Sequence, residues 1–205
     1  MKNPWLAWIQ QLQAIAQNGL RYSKDKYDID RFQQLRSIAG LMLAELAQTS
    51  PEPILDLFSS YSGTATPKID VRAVIIQEGD VLLVRQIGEE KWTLPGGWAD
   101  VGISLSEAVI KEAREESGYI VEPSRILAVQ DRPRHNLPPI PEHTWKVFVQ
   151  ASILEDGEPD GLETNGVGFF SLDKLPPLST GRVTRRQLER MFALVADPTA
   201  PAEFD

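Results

Sequence analysis

The segment LPGGWADVGISLSEAVIKEAREESGY, from Leu94 to Tyr119, carries the main structural signal of the chain. It combines the end of a strand, a glycine loop and a short acidic helix. Pro95, Gly96 and Gly97 interrupt the strand, because adjacent glycines permit backbone angles that other residues avoid. The segment therefore predicts a strand–loop–helix unit around which the other elements are arranged.

Both ends of this helix carry sequence signals. Ser104 followed by Glu107 has the form of a capping box, which predicts a helix from about Leu105. Gly118 is placed to end it, since glycine accepts the left-handed conformation at a helix C-terminus.

Three glutamates share one face of the predicted helix. Glu112, Glu115 and Glu116 stand at i, i+3 and i+4. Such acidic faces are usually only solvated, but here Val109 and Ala113 would press the helix onto a sheet and hold the acids beside the glycine loop. Repelling carboxylates near a loop favour a cation, and oxygen-only ligands favour Mg²⁺ or Mn²⁺.

At this point the residues resemble the signature of the Nudix hydrolases. That signature runs Gly, five residues, Glu, seven residues, then Arg-Glu-apolar-any-Glu-Glu-any-Gly-apolar. The positions in register with it are Gly97, Glu112, Glu115, Glu116 and Gly118.

Two positions depart from the signature: Ile103 replaces its Glu and Lys111 replaces its Arg. In the family those two residues organise the loop and helix, while the later glutamates hold metal. We expect Lys111 to pair with Glu107, four residues earlier, and Ile103 to dock against the core. Because the metal-binding half is intact, we expect an active enzyme.

Composition restricts the classes of function. The chain has 205 residues, 42% of them hydrophobic, and 29 acids against 21 bases give a net charge of −8. A broad nucleic-acid surface is therefore not expected. With no cysteine there is no disulfide or thiolate site. No signal peptide and no apolar run of about 20 residues is found, which predicts a soluble, cytoplasmic protein without a membrane partner.

The first part of the chain predicts a small helical domain over residues 1–60. Apolar residues at helical spacing indicate a helix over residues 4–18, ended by Gly19. A second helix is expected after Asp28 or Asp30, and a third after Pro53.

Trp5 and Trp8 are large groups to leave in water. We expect the helical unit to pack on the catalytic domain, on a second copy of the chain, or on both, and we favour a homodimer through these helices. A solubilising appendage without catalytic part is the alternative.

Residues 66–205 predict the second domain. Strands, the acidic helix, further strands and a helix over Thr184 to Val195 are compatible with an α+β fold, a mixed sheet between helices. The Nudix resemblance implies that α/β/α sandwich. The tail from Asp197 is expected to be disordered.

The resemblance extends to one subgroup, whose members carry an N-terminal Nudix-associated helical domain and are described as ADP-ribose or CDP-choline pyrophosphatases. The shared features include the helical unit, the loop GGWADVG, and the segment around Arg134-His135-Asn136 with Pro138-Pro139.

The resemblance implies hydrolysis of a phosphoanhydride in a nucleoside diphosphate derivative. Glu112, Glu115, Glu116 and the carbonyl of Gly96 would bind Mg²⁺ (or Mn²⁺), which would activate water, with Glu115 and Glu116 counted as catalytic. Glu163 is the candidate general base, although it could be an ordinary exposed loop acid.

Substrate contacts are assigned to two groups of residues. Gly97 and Trp98 lie in the glycine loop, where Trp98 could stack on a base or instead be buried. Arg134 and Arg182 could clamp phosphate oxygens. His135 could contact substrate or cap its own loop.

Two other functions are compatible with the sequence. One is a nucleoside triphosphate or RNA-end pyrophosphohydrolase. The other is a catalytically weak nucleotide-sensing module, which the changes at Ile103 and Lys111 would favour and the intact glutamates oppose.

Overall fold

The computed structural model describes residues 4–135, 137, 138 and 140–205, so that Asn136 and Pro139 of the subgroup segment lie outside it. The chain divides into two compact units. The first contains residues up to Pro67 together with 140–143, and the second contains residues 68–138 and 144–205.

The first unit is a bundle of three helices. Their bounds are α1 Trp5–Tyr22, α2 Lys26–Ala47 and α3 Pro51–Ser60. Its small core is formed by Ile9, Ala39, Leu43 and Phe58, which are all buried.

The predicted boundaries of these helices were wrong. Helix α1 continues through Gly19, where a Cβ atom would come within 2.4 Å of the Phe32 ring, so this glycine serves close helix packing. Helix α2 begins directly after Asp25, whose side chain caps its first turn. Helix α3 begins at Pro51, because proline suits the first helical position.

The second unit contains all the strands. Their bounds are β1 Lys68–Val74, β2 Ile76–Gln77, β3 Asp80–Gln86, β4 Trp92–Thr93, β5 Ile120–Asp131, β6 Thr144–Glu155, β7 Thr164–Phe170 and β8 Glu203–Phe204. One sheet is mixed and has the order β1-β6-β5-β8, with β1 parallel to β6 and β5 antiparallel to it. The other sheet is antiparallel, and β3 pairs with β2, β4 and β7.

Two helices cover the strands, α4 Leu105–Ser117 and α5 Arg185–Ala196. Successive residues of β1 point to opposite faces of the sheet. Val71 therefore joins the core beneath α4 with Val109, whereas Val74 joins the core beneath α5 with Leu188. The predicted α+β fold, a mixed sheet between helices preceded by a helical unit, is confirmed.

The tail is ordered, so the prediction of disorder after Asp197 was wrong. Strand β8 pairs in parallel with β5, and the guanidinium of Arg190 donates to Glu203 at 2.8 Å. Such pairing depends on partners distant in sequence, which local composition does not encode. Separately, none of the helices in the described ranges combines the length and apolar character needed to cross a lipid bilayer.

Candidate active site

The glycine loop lies along β1. The backbone N–H of Val71 donates to the Gly97 carbonyl at 2.9 Å, and that of Ala73 donates to the Pro95 carbonyl at 2.9 Å. Gly96 has a φ of +140°, and a Cβ there would come within 2.1 Å of the Val71 carbonyl oxygen. Only glycine allows the loop to approach the strand this closely.

Helix α4 begins and ends as the sequence predicted. Glu107 accepts a hydrogen bond from the Ser104 backbone N–H at 2.7 Å, and the Ser104 hydroxyl accepts from the Glu107 N–H at 3.3 Å. Gly118 adopts the left-handed conformation at the C-terminus, with a φ of +82°. The capping box and glycine stop are thus confirmed, and they fix the rotation of the acidic face.

Glu116 is a buried carboxylate, only 4% exposed. One oxygen accepts from the Gly96 N–H at 2.7 Å and the other from the Gln86 amide at 2.9 Å. Burial raises the pKa of Glu116, while the Gly96 N–H and the charge of Arg72 oppose that rise. Two donors therefore orient the carboxylate at the junction of loop and helix.

Glu112 lies beside Glu116 and against the loop. A Cβ on Gly97 would come within 2.9 Å of Oε2 of Glu112, so the second glycine leaves room for this carboxylate. Burial, and then the charge of Glu116, raises the pKa of Glu112 to about 7. Two adjacent acids thus share a partly desolvated position.

Glu115 is held by Lys111. The ammonium of Lys111 lies 3.0 Å from Glu115 and 3.2 Å from Asp100 in the loop, and 4.0 Å from Glu112. The expected pairing of Lys111 with Glu107 was wrong, because the Glu107 carboxylate belongs to the capping box.

The expectation that Ile103 docks against the core was also wrong. Its side chain is among the exposed large hydrophobic groups, at 37% of its surface. The loop is consequently not fixed to the helix by an apolar contact at this position.

A buried ionic group that the sequence interpretation missed lies under the loop. Asp70 accepts from Arg72 Nε at 2.8 Å and also binds the ammonium of Lys146. The same guanidinium donates to the Leu94 carbonyl at 3.1 Å, at the start of the glycine loop. Arg72 therefore supports the loop and places a positive charge near Glu112 and Glu116.

Burial and neighbouring charges shift the pKa values of both Asp70 and Lys146. Burial alone would raise the pKa of Asp70, but Arg72 and Lys146 hold it below its ordinary value. Burial and the charge of Arg72 lower the pKa of Lys146 to about 7. The available signal was the pair of charges at alternate positions of the otherwise apolar segment IDVRAV, residues 69–74.

Two further predicted residues lie close to the loop or the glutamates. The charge of Glu163 contributes to the raised pKa of Glu116, which places it within electrostatic reach, and its carbonyl accepts from Ile87 N–H at 2.9 Å. Trp98 is half exposed, with the ammonium of Lys68 5.3 Å from its ring centroid.

The remaining predicted substrate residues contact other acids. Arg134 Nε lies 3.3 Å from Asp131, and His135 Nε2 lies 2.8 Å from Asp205. Arg182 pairs with Glu89, which also accepts from Ser179. All three side chains are therefore paired with carboxylates that do not belong to the glutamate cluster on α4.

The donors suit a hard cation in kind, since they are carboxylate oxygens on one helix face. In the part of the chain that is described, however, no three Asp, Glu or His side chains converge closely enough to hold a metal ion as they stand. Glu115 is turned to Lys111 and Glu116 to Gly96 and Gln86. Binding would require these carboxylates to exchange partners.

Comparisons with known proteins agree with this architecture. Residues 66–192 match the family model described as NUDIX domain, and residues 3–58 match the one described as UDP-X-like, N-terminal oligomerisation domain. Putative ADP-ribose pyrophosphatase YjhB of Bacillus subtilis (strain 168) is 42% identical over 205 residues, which is 100% of this chain and 99% of that protein.

Two solved structures are also similar. The crystal structure of a UDP-X diphosphatase has a TM-score of 0.65 and 32% identity, and the match covers 98% of both chains. That of an ADP-ribose pyrophosphatase from Streptococcus suis 89-1591 has a TM-score of 0.63 and 40% identity, over 68% of this chain and 100% of that one. With the capped acidic helix and glycine loop in place, these matches show that the chain belongs to the Nudix hydrolase family and is an enzyme of that family.

Proposed function

We propose that this Nudix hydrolase cleaves the pyrophosphate bond of a nucleoside diphosphate derivative, with ADP-ribose as the first candidate. The observation that carries the proposal is the pair of carboxylates beside the glycine loop, of which Glu116 is buried and Glu112 is partly buried. Burial raises the pKa values of both Glu112 and Glu116, because it disfavours their ionised forms. A bound divalent cation would stabilise those ionised forms.

Glu112, Glu115, Glu116 and the Gly96 carbonyl would hold Mg²⁺ (or Mn²⁺). When bound, the cation offsets the charge of the diphosphate and increases the acidity of water. The protein's own contribution is orientation: the Gly96 N–H and the Gln86 amide fix Glu116. The charge of Arg72 favours the ionised forms of both Glu112 and Glu116.

Glu163 is our candidate for the general base, alongside Glu115 and Glu116. It is an exposed loop carboxylate, yet its charge is felt by Glu116 across the site. An exposed carboxylate can accept a proton from water and release it to solvent. Glu142 is less suitable, because it accepts a hydrogen bond from Tyr61 at 2.9 Å within the first unit.

The substrate assignment rests on similarity. The Bacillus subtilis relative and the Streptococcus suis structure both carry the name ADP-ribose pyrophosphatase. The UDP-X diphosphatase structure, which matches 98% of this chain, favours a wider range of nucleoside diphosphate derivatives. CDP-choline is a candidate through the subgroup resemblance alone. We assign substrate contacts to Gly97, Trp98, Arg134, His135 and Arg182. The last three would first have to leave their carboxylate partners.

We further propose that the protein forms a homodimer through its N-terminal helices. Trp5 and Trp8 on α1 are 50% and 48% exposed, although they are large apolar groups. The family model that matches this region is described as an oligomerisation domain.

A substrate panel tests the proposal. ADP-ribose, CDP-choline, a UDP-sugar and nucleoside triphosphates are incubated with enzyme in Mg²⁺, in Mn²⁺ and in excess EDTA, and nucleoside monophosphate release is measured. Fast Mg²⁺-dependent turnover of a diphosphate derivative is expected. Preference for triphosphates or RNA 5′ ends would replace the proposal with the alternative chemistry, and ligand binding without turnover would indicate a sensing module.

A further inference from the structure

The carboxylate of Asp205 is bound at both oxygens by donors near the end of β5. The backbone N–H of Asp131 donates to Oδ2, and His135 Nε2 lies 2.8 Å from Oδ1. Because an ionised carboxylate only accepts hydrogen bonds, Nε2 carries the proton in this contact. The donors thus form a small site for an oxyanion, which Asp205 occupies.

The surroundings of this carboxylate are electropositive and partly withdrawn from water. The side chain of Asp205 is 21% exposed and that of His135 is 27% exposed. Burial alone would raise the pKa of Asp205, but the Asp131 N–H, His135 and the charge of Arg134 hold it below its ordinary value. Donors that stabilise one oxyanion in this way suit another of similar size.

A cavity of about 340 Å³ adjoins the donors and is lined by Gln130, His135 and residues 202–205. It is connected to the glycine loop by one row of residues across the mixed sheet. Trp98 in the loop bridges to Asp70 on β1, Asp70 lies opposite Lys146 on β6, and Lys146 lies opposite Gln130 on β5. Three such steps cover about 14 Å, so the cavity lies well away from the loop that holds the scissile diphosphate.

We propose that these donors form a subsite for an anionic group of the substrate remote from the scissile diphosphate, and that Asp205 closes the subsite until such a group displaces it. The inference rests on the proposed hydrolysis of a nucleoside diphosphate derivative. The group is an oxyanion, carried as a phosphomonoester or as a carboxylate on the nucleoside or on the leaving group.

Opening the subsite needs only a local movement. Strand β8 is attached to β5 at Glu203 and Phe204, and Arg190 Nε donates to Glu203 at 2.8 Å. Asp205 follows these attached residues, so its side chain can turn into solvent while the strand stays paired.

The first test is a titration of the metal-free, full-length protein with inorganic phosphate at constant pH and ionic strength. Proton NMR follows the Cε1–H signal of His135, which is assigned by His143→Gln because the chain has two histidines. The variants are Asp205→Ala, Asp205→Asn and Asp205→Ala with His135→Gln. Asp173→Asn, which removes an exposed carboxylate elsewhere, is the matched control.

Phosphate should shift the His135 signal and bind about tenfold more tightly in Asp205→Ala, as for a site that is open in about one molecule in ten of the wild type. Asp205→Asn should change the affinity in the same direction and Asp173→Asn should not. In the double variant, binding followed by isothermal titration calorimetry should lose the gain.

The second test compares substrates that differ by one anionic group: UDP-glucuronate with UDP-glucose, and 2′-phospho-ADP-ribose with ADP-ribose. For the charged member of at least one pair, KM should fall about tenfold in Asp205→Ala at unchanged kcat, while KM for its neutral partner stays the same. The first pair reports a carboxylate on the leaving group, and the second reports a phosphomonoester on the nucleoside.

Three results would overturn the inference. Weaker phosphate binding in Asp205→Ala would make Asp205 a support for His135, a His135 signal that phosphate never shifts would exclude the subsite, and equal changes of KM within both pairs would separate it from the substrate. If phosphate binds as expected but no nucleotide derivative is hydrolysed, the proposed function fails while the oxyanion site stands. A circular dichroism melt of each variant verifies folding.

Discussion

The carboxylate of Glu116 accepts a hydrogen bond from the backbone N–H of Gly96 at 2.7 Å, across 20 residues of sequence. This bond joins the acidic helix to the glycine loop, and both groups are buried. Because a buried carboxylate is costly without partners, loop and helix hold each other in place. The same bond orients the group that we propose as a metal ligand.

Replacing Glu116 with Gln should abolish turnover while the fold is kept. Glutamine preserves the acceptor for Gly96 but removes a charge that burial already disfavours. We expect kcat for ADP-ribose to fall by at least about a hundredfold. Replacing residues that only hydrogen-bond to metal ligands already lowers activity by about tenfold to a hundredfold. Glu122→Gln on β5 is the control. Retained activity would contradict the assigned role, and a circular dichroism melt verifies folding.

The two glycines of the loop should respond differently to alanine. Gly96→Ala should destabilise the enzyme strongly, because its Cβ would lie 2.1 Å from the Val71 carbonyl. Gly97→Ala should fold but displace the Glu112 carboxylate, 2.9 Å from the new Cβ, and weaken Mn²⁺ binding. Gly181→Ala, with nothing within 4 Å, is the control. Thermal melts and Mn²⁺ titrations separate the two effects.

The metal-free protein should lose stability as pH rises through the range in which Glu112 ionises. Its pKa is about 7 in the folded state, above its ordinary value of 4.5, so the folded state binds the extra proton between those values. The free energy of unfolding should fall by about 1–3 kcal/mol from pH 5 to 8 relative to Glu112→Gln. The free energy of unfolding is measured by urea denaturation at each pH. The same pH dependence in both proteins would contradict this prediction.

Asp70→Asn should destabilise the second unit. It leaves Arg72 and Lys146 without the carboxylate that both bind, and Lys146 is completely buried. Breaking a buried pair in this way costs about 3–5 kcal/mol. Adding Lys146→Met should recover part of that loss, because it removes the uncompensated charge. Urea denaturation of the single and double variants measures the loss in free energy of unfolding. If the losses of the two single variants add up in the double variant, the proposed coupling between Asp70 and Lys146 is contradicted.

Exposed apolar groups on α1 should form the contact between subunits. Trp8→Ser combined with Ile15→Ser should convert a dimer to a monomer, since about half of each side chain is exposed. Leu154→Ser, another exposed apolar residue, is the control. Light scattering after size-exclusion chromatography gives the mass, and a wild-type monomer at micromolar concentration would contradict the proposed homodimer.

Features that depend on near neighbours could be predicted from the sequence. The Ser104 and Glu107 cap, the stop at Gly118 and the shared face of the glutamates follow from helical spacing of three and four residues. These local rules were sufficient for the acidic helix. The α+β architecture was predicted from the order of strand and helix patterns and from the Nudix resemblance.

Features that depend on partners distant along the chain emerge only in the folded protein. Lys111 pairs with Asp100 rather than with Glu107 because the folded loop brings Asp100 within reach. Arg72 and Lys146 are buried together on Asp70 only when their strands pair. The pairing of β8 with β5 has the same origin. An ion pair or an edge strand forms where geometry brings complementary groups together, and spacing in the sequence does not specify that meeting.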